Sequence, residues 1–447
     1  MKLEKLKRKL EEKLNLSSIS QLMLSSQSTE NKKLKIIGVT GSTGKSTVCY
    51  VLHKYLQSLG YKSVLYSSIM VDSPFSRFKR GESIDIALNS EKELLDIINC
   101  LEKSRADFLI LEVNESTIQK GLVKDIPFDI RCITNLNPRH NLERYTEKEY
   151  VNLKKSFFEN ITDECICVYG LQDYDKNLFE NLLNANNMPK VTFTSKYISK
   201  VKNVDINDIT CLLTDIQEVK DGYDFDVKLT DSLYRFHTNN EFKHNILNYL
   251  CVIAILHALG KLNVQLLTQC ICNTKIPGRT ETYKINERTI IIDLHLEPTL
   301  SALKEAQEKG KIKKIKVVVG SIGSGFITWD DLFNKGNHYY KRHQLREYAC
   351  NLLEKTTDEV YLTEDDNGAE SALEICNELQ NYLQNIPSYI ILDRNDAIRK
   401  AIITSNKGDA ILIVGRGNKR TLCNSSTTIK LVKDSEMVEN VLKELGW

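Results

Sequence analysis

The 447-residue chain carries 61 Lys and Arg against 59 Asp and Glu, a formal net charge of +2, with 41% apolar and 27% charged residues. That balance belongs to an ordinary folded protein of two or three domains and gives no reason to expect a nucleic-acid partner. The longest apolar runs, such as VVVG from Val317 and AILIVG from Ala410, are far too short to span a bilayer, and the charged N-terminus MKLEKLKRKLEEKLNL has no apolar signal core, so a cytoplasmic protein is expected.

In chain order, leucines at 3, 6, 10 and 14 among lysines and glutamates predict an amphipathic helix, followed by the Ser-rich linker SSISQLMLSSQSTEN. This first unit, residues 1–34, is a candidate docking element for a protein partner. From Lys35 strand and helix alternate: strand KIIGV, helix STVCYVLHKYLQSLG, strand KSVLYSS, helix EKELLDIINCLEKS, strands DFLILEV and IRCITNL, helix EKEYVNLKKSFFENI, strand ECICVYG. Continuous apolar strands separated by helices predict a parallel sheet covered on both faces. Polar alternation such as YDFDVKLT marks a β-rich stretch to about Phe236, and KHNILNYLCVIAILHALG predicts a long apolar helix. After Ile276–Pro277–Gly278, read as a hinge, the pattern resumes as TIIIDL, TLSALKEAQEKG, IKVVVG, LREYACNLLEKT, EVYLTE, YIILD and AILIVG. The fold class expected is α/β: a central phosphate-loop domain over 35–275 with a parallel sheet, and a smaller doubly wound domain over 276–447. The twelve cysteines are scattered, and their close pairs are C-x-C rather than C-x-x-C, which reads as reduced core thiols rather than a zinc site.

The stretch GVTGSTGKST carries the clearest chemistry. A buried strand feeds a glycine turn that opens a helix at Lys45-Ser46-Thr47. Glycines let backbone N–H groups approach phosphate oxygens, and the helix N-terminus adds its dipole. Gly41, Ser42, Thr43, Gly44, Lys45, Ser46 and Thr47 are therefore nucleotide candidates, with Lys45 neutralising the β/γ charge and the Ser46 hydroxyl on Mg²⁺. The standard loop is G-x-x-x-x-G-K-[ST]; here position 39 is Val, and the shorter G-x-x-G-K-S stands. Glu112 ends the buried strand FLILE, where ligand groups gather in doubly wound sheets, and suits a Mg²⁺ ligand beside Ser46; Glu115 is a substitute. Asn245 and Asn248, behind His244 at the start of the long helix, share a face that could present amides to adenine. Arg279, after the hinge glycine, could reach the nucleotide on domain closure.

The shortened loop resembles the GTNGKT loop of the Mur ligase superfamily, ATP-dependent amide-bond ligases with folylpolyglutamate synthases as relatives. LILEVNEST, TNLNPRHN, YVNLKKSFF, EFKHNILN, IPGRTETY, TEDDNGAE, DRNDAIRKAI and GDAILIVGRGNKR resemble further segments of that superfamily in order, most like the muramoyl-tripeptide synthetases. The resemblance implies ATP and Mg²⁺ as cofactors, and a reaction in which ATP activates a carboxylic acid as an acyl-phosphate that an amino acid or amine then attacks. It implies a second Mg²⁺ ligand in His140, a carbamate on Lys154 (the spacing from Tyr150 selects it over Lys155) and a ribose or hinge contact in Asp293. Asp366 and Asn367 become candidate amino-acid contacts.

Three departures stand out. Arg139 replaces the aspartate that precedes the family histidine. Gly368-Ala369 follow Asp366-Asn367 where the diaminopimelate-adding enzymes have Pro-Arg, which disfavours diaminopimelate. The 34 residues ahead of the loop unit are too few for the family's UDP-binding domain, so an acceptor recognised otherwise than through UDP is expected. The alternative is a non-catalytic or partner-dependent ATP-binding subunit; a plain phosphate-loop kinase leaves the C-terminal segments without a purpose.

Overall fold

The computed structural model describes residues 33–74, 77–79, 90–137, 145–171, 189–196, 209–323, 338–419, 421–424, 427–430 and 432–447. The expected N-terminal helix and His140 lie outside them.

A sheet of eleven strands is formed by β1 (Lys35–Thr40), β2 (Ser63–Tyr66), β3 (Met70–Asp72), β4 (Arg77–Lys79), β5 (Phe108–Glu112), β6 (Ile130–Ile133), β7 (Ile166–Gly170), β8 (Lys190–Ser195), β9 (Cys211–Val219), β10 (Gly222–Leu229) and β11 (Ser232–Thr238). Their spatial order is β11-β10-β9-β8-β7-β6-β1-β5-β2-β3-β4. From β9 across to β2 all neighbours are parallel, and antiparallel pairs extend both edges. β1 sits inside because every residue after Lys35 is buried, which a strand covered on both faces requires.

The helices of this unit are α1 (Lys45–Ser58), α2 (Glu91–Lys103), α3 (Glu115–Gln119), α4 (Glu147–Ser156), α5 (Asn245–Ala258) and α6 (Val264–Asn273). α1, α5 and α6 pack into one apolar cluster against the sheet; Leu94, Ile98 and Leu101 of α2 and Tyr150 and Val151 of α4 join the cluster on the other face. α5 is apolar around most of its circumference and nearly all of it is buried, as a helix between layers must be.

The second sheet has β12 (Glu281–Ile285), β13 (Arg288–Asp293), β14 (Ile315–Val319), β15 (Glu359–Leu362), β16 (Ser388–Ile390) and β17 (Ala410–Val414) in the order β12-β13-β17-β14-β15-β16. All neighbours are parallel except β12 and β13. α7 (Leu296–Glu308), α8 (His338–Thr356) and α9 (Ala372–Tyr382) cover one face, and α10 (Arg394–Ile403) and α11 (Asp434–Glu444) the other, so this smaller unit is doubly wound. A buried pair, Arg394 Nε to Asp434 Oδ1 at 2.8 Å, ties α10 to α11. The hairpin β18 (Thr421–Asn424) and β19 (Thr427–Lys430) stands apart from both sheets.

The C-terminal ends of β1, β5 and β6 face those of β13, β14 and β17 across one cavity of about 720 Å³, lined from both units. Strand ends of this kind are where open α/β sheets bind ligands, and here two sets point at one space.

Candidate active site

The loop between β1 and α1 is held open by its neighbours. Gly41, at φ 144°, leaves room for Thr134; a Cβ there would lie 2.0 Å from Thr134 Oγ1. Gly44 is left-handed at φ 81°, and a Cβ would lie 2.1 Å from Asn248 Oδ1. Asn135, just past β6, accepts from the Thr43 amide at 3.1 Å, and its own backbone carbonyl accepts from the Ser42 amide at 3.1 Å. The Asn137 amide donates to Ser42 Oγ at 2.8 Å. α1 has no side-chain cap and no acidic residue in its first turn, so its first amides face the cavity available to an anion. Lys45 lies back over the loop, donating to the carbonyls of Gly41 at 2.6 Å and Ser42 at 3.2 Å.

Ser46 and Glu112 are brought together as the sequence predicts: the Ser46 hydroxyl donates to Glu112 Oε1 at 2.9 Å. Glu112 is buried and receives three further donors from the loop after β2, the Ser67 hydroxyl at 2.5 Å, the Ser68 amide at 2.9 Å and the Ser68 hydroxyl at 3.1 Å. These two serines were missed by sequence reasoning. Their signal is position: they follow a buried strand whose neighbour is β5. Among the described residues no three His, Cys, Asp or Glu side chains cluster as a metal site. One carboxylate and one hydroxyl beside a phosphate loop are nevertheless the donor set that suits Mg²⁺ arriving with nucleotide phosphates, since that ion keeps waters and uses few protein ligands.

Lys154, on α4, is fully buried, whereas Lys155 is only half-buried. Its Nζ lies 2.6 Å from Glu115 Oε1, 3.0 Å from Thr40 Oγ1 and 3.2 Å from the Gly41 carbonyl. Burial pushes its ammonium down to about 8 against the pull of Glu115. Burial pushes the Glu115 carboxyl up, but Lys45 and Lys154 outweigh it and hold that carboxyl well below its usual range. The Tyr150 hydroxyl lies 2.9 Å from Ser42 Oγ and donates to Glu115 at 3.2 Å; burial and Glu115 push its phenol well up. The hub of this cluster is Glu115, more central than its rank as a substitute for Glu112.

On the far wall, Arg279 reaches across the junction, its Nη2 3.4 Å from Ser46 Oγ; burial pushes its guanidinium down while Glu112 and Asp293 act against that. Asn248 donates to Asn245 at 3.0 Å, and Asn245 donates to Thr280 Oγ1 at 3.2 Å, so the pair spans the junction as well as lining the cavity. His244 lines it too, its imidazole pushed down by burial. Asp293 ends β13 at the cavity wall, but its carboxylate is occupied locally: it accepts the Leu294 amide at 2.7 Å and the Thr299 hydroxyl at the start of α7.

Asp366 and Asn367 are not part of the cavity wall. Both are buried behind it. Asp366 supports Lys419 at 2.9 Å and faces Arg416 at 3.6 Å, and those two cations do line the cavity. Asn367 donates to the Glu370 carbonyl at 2.6 Å. The sequence resemblance places Asp366 and Asn367 in the amine pocket; in the fold they are the support beneath Arg416 and Lys419, the two residues that the GRGNKR segment carries into the cavity.

Comparison with known proteins places this geometry. Residues 39–256 match the Mur ligase middle domain, and residues 278–417 match the Mur ligase glutamate ligase domain. The chain is 26% identical over 402 residues to the UDP-N-acetylmuramoyl-L-alanyl-D-glutamate–2,6-diaminopimelate ligase of Fusobacterium nucleatum, covering 87% of this chain and 73% of that protein. It is 22% identical over 430 residues to the UDP-N-acetylmuramyl-tripeptide synthetase of Borreliella afzelii, covering 93% and 78%. Among solved structures, the fold is similar to MurF ligase from Thermotoga maritima in complex with ADP, with a TM-score of 0.61 at 16% identity over 93% of this chain and 80% of that one. It is also similar to folylpolyglutamate synthase from Thermotoga maritima, with a TM-score of 0.59 at 15% identity over 90% of each chain.

Proposed function

The chain belongs to the Mur ligase family of ATP-dependent, ADP-forming ligases that use Mg²⁺, and on that premise we propose that it joins an amino acid or other amine to a small carboxylic acid. The observation that carries this reading is the single cavity into which the phosphate loop and the strand ends of the second unit both open. ATP supplies the phosphoryl group that turns the acid into an acyl-phosphate, with ADP leaving, and Mg²⁺ supplies charge at the transferred group. The amine then attacks the acyl carbon, phosphate leaves, and one proton is released.

The chain's residues bind and orient. Residues 35–275 hold the nucleotide: the first amides of α1, from Lys45 to Thr47, with the Gly44 amide before them and the Lys45 ammonium, take phosphate oxygens, and Ser46 and Glu112 are the residues that would hold Mg²⁺. Asn245 and Asn248, which line the cavity, take the base in this reading. Residues 276–447 bring Arg279 to the phosphates and Arg416 and Lys419 toward the incoming amine's carboxylate, with Asp366 and Asn367 beneath them. A cavity closed by two units keeps water from an activated acyl group. The first relatives act on UDP-N-acetylmuramoyl peptides by their names; here the acceptor is assigned only as a carboxylic acid.

The test is a matrix of carboxylic acids against amino acids with Mg-ATP, read by ADP release and by the mass of a condensation product. ADP release requiring both partners is expected. Tight ATP binding with no turnover in any pairing would favour a binding subunit, and turnover with neither partner would favour a simple ATPase.

A further inference from the structure

The chain passes from the first unit to the second through a turn that ends on a conformation its residue resists. Pro277 and Gly278 fill a turn closed by the Arg279 amide on the Ile276 carbonyl at 3.2 Å, and Gly278 supplies the positive φ. Thr280, two residues on, is left-handed at φ 45°. A β-branched residue is an outlier there. Among the described residues, the other non-glycine residues with positive φ lie in hairpin turns (Thr230, Asn286, Glu287) or in turns that follow helices (Arg105, Asn160). Thr280 lies in neither, and it lines the cavity. Backbone strain of this kind persists only where the surroundings over-determine it.

What holds Thr280 is a line of side-chain amides that starts at the phosphate loop. Asn248 packs against Gly44 and donates to Asn245 at 3.0 Å, and the buried Asn245 donates to Thr280 Oγ1 at 3.2 Å. From the other side, the Thr282 hydroxyl donates to the Thr280 carbonyl at 3.0 Å. Arg279 stands next in the chain. Its Nη1 donates to the Gly278 carbonyl at 3.0 Å, its Nη2 to Ser46 Oγ at 3.4 Å, and the bare Gly417 backbone leaves it room, since a Cβ there would lie 3.1 Å from Nη1. β12 begins at Glu281 and is paired along its length with β13. A change of φ at Thr280 therefore turns the Arg279 peptide rather than the sheet, and carries the guanidinium away from Ser46.

Resting on the ligase reading above, we propose that Thr280 is the positioning residue that aims Arg279, held in place through Asn245, and that this linkage makes the site prefer a nucleoside triphosphate to a diphosphate. Mg²⁺ bridges β- and γ-oxygens, so a cation beside the Ser46 hydroxyl serves the end of the nucleotide that a diphosphate lacks. The same asparagine pair that lines the base end of the cavity thus sets the geometry at the phosphate end.

The test is calorimetric titration with Mg-AMP-PNP and with Mg-ADP. Wild type, Thr280→Val, Thr280→Ser and Thr280→Gly are compared, each with and without Arg279→Ala. Thr280→Val keeps the shape and removes the acceptor, and Thr280→Ser keeps the acceptor. Thr280→Gly removes the acceptor at no steric cost at this φ, which covers the case of a valine variant that does not fold. The ratio of AMP-PNP to ADP affinity should fall about tenfold in the valine and glycine variants, the scale of one lost charge-assisted hydrogen bond, and stay near wild type in the serine variant. With Arg279→Ala already present it should fall no further. A ratio unchanged in both Thr280→Val and Thr280→Gly overturns the proposal, even if both affinities weaken together. So does an equal fall on the Arg279→Ala background, or an Arg279→Ala variant that keeps the wild-type ratio. Wild type that binds neither nucleotide sinks the ligase reading itself, and the proposal with it.

Discussion

Lys45 donates to the carbonyls of its own loop, and in the proposed ligase reading phosphate oxygens take those places when nucleotide enters. The side chain contributes charge at the site rather than packing, so Lys45→Ala should retain its circular dichroism spectrum and lose about a hundredfold or more in turnover, the scale of losing one preorganised charge donor. Near-normal turnover in the folded variant would remove the loop from the mechanism. Glu115 gives a second residue-scale prediction. Its folded carboxyl is held well below the usual value of 4.5, because Lys45 and Lys154 together outweigh burial. Its contribution to stability is therefore present above the unfolded value and is lost as pH falls below it toward the folded value. Denaturant midpoints from about pH 6 to about pH 3 should fall further for wild type than for Glu115→Gln. Parallel curves would mean that Glu115 is not tied to its lysines in solution.

α4 shows how far local pattern reaches. Helical spacing allows only one of Lys154 and Lys155 to face inward, and the four-residue step from Tyr150 selects Lys154; the fold buries both Tyr150 and Lys154. The loop from Gly41 to Thr47, the Ser46–Glu112 pairing and both sheets were legible for the same reason: each rests on a short motif or on a strand end. Glu115 was legible only as a substitute for Glu112, and the Ser67–Ser68 pair not at all, because their partners lie in other segments of the chain that the lateral pairing of β2, β5, β1 and β6 brings together. Asp366 and Asn367 were legible as a segment but not in their direction, since their contacts with Lys419 and Glu370 turn them beneath the wall. α4 also carries a capping box, in which Thr146 accepts the Glu149 amide and Glu149 accepts the Thr146 amide at 2.8 Å. Thr146→Ala should cost about 1 kcal/mol in denaturant unfolding. It should also loosen the helix that places Lys154, seen as faster amide exchange over α4. Unchanged exchange there would show that the helix is held by packing of Tyr150 and Val151 alone.

Among the described residues, several contacts between the two units are polar. Asn418 donates to the Ile69 carbonyl at 2.8 Å, Arg279 meets Ser46, and Lys309 pairs with Glu218 at 2.9 Å on the surface. Exposed pairs of this kind contribute little and weaken with salt. Phe242 adds an apolar contact: it precedes α5 yet is buried in the apolar cluster of the second unit with Leu300 and Leu303. Gly278, at the chain's crossing between the units, is left-handed at φ 65°, with its backbone against Gly417 and Asn418. Phe242→Ala, a buried aromatic truncation costing about 3 kcal/mol or more, should release the second unit. Small-angle scattering should then give a larger radius of gyration than wild type without ligand, recovered on adding Mg-AMP-PNP. An unchanged radius would mean that the polar contacts alone lock the units.

Once an acid and amine pair is found, the most direct measurement follows the oxygen atoms. With the acid labelled by ¹⁸O in its carboxylate, formation of an acyl-phosphate moves one labelled oxygen into the phosphate that leaves when the amine attacks. The ligase mechanism predicts one ¹⁸O in inorganic phosphate for each amide formed, and ADP as the other product. Unlabelled phosphate at the same turnover would contradict it, because water rather than the acid would then have taken the phosphoryl group.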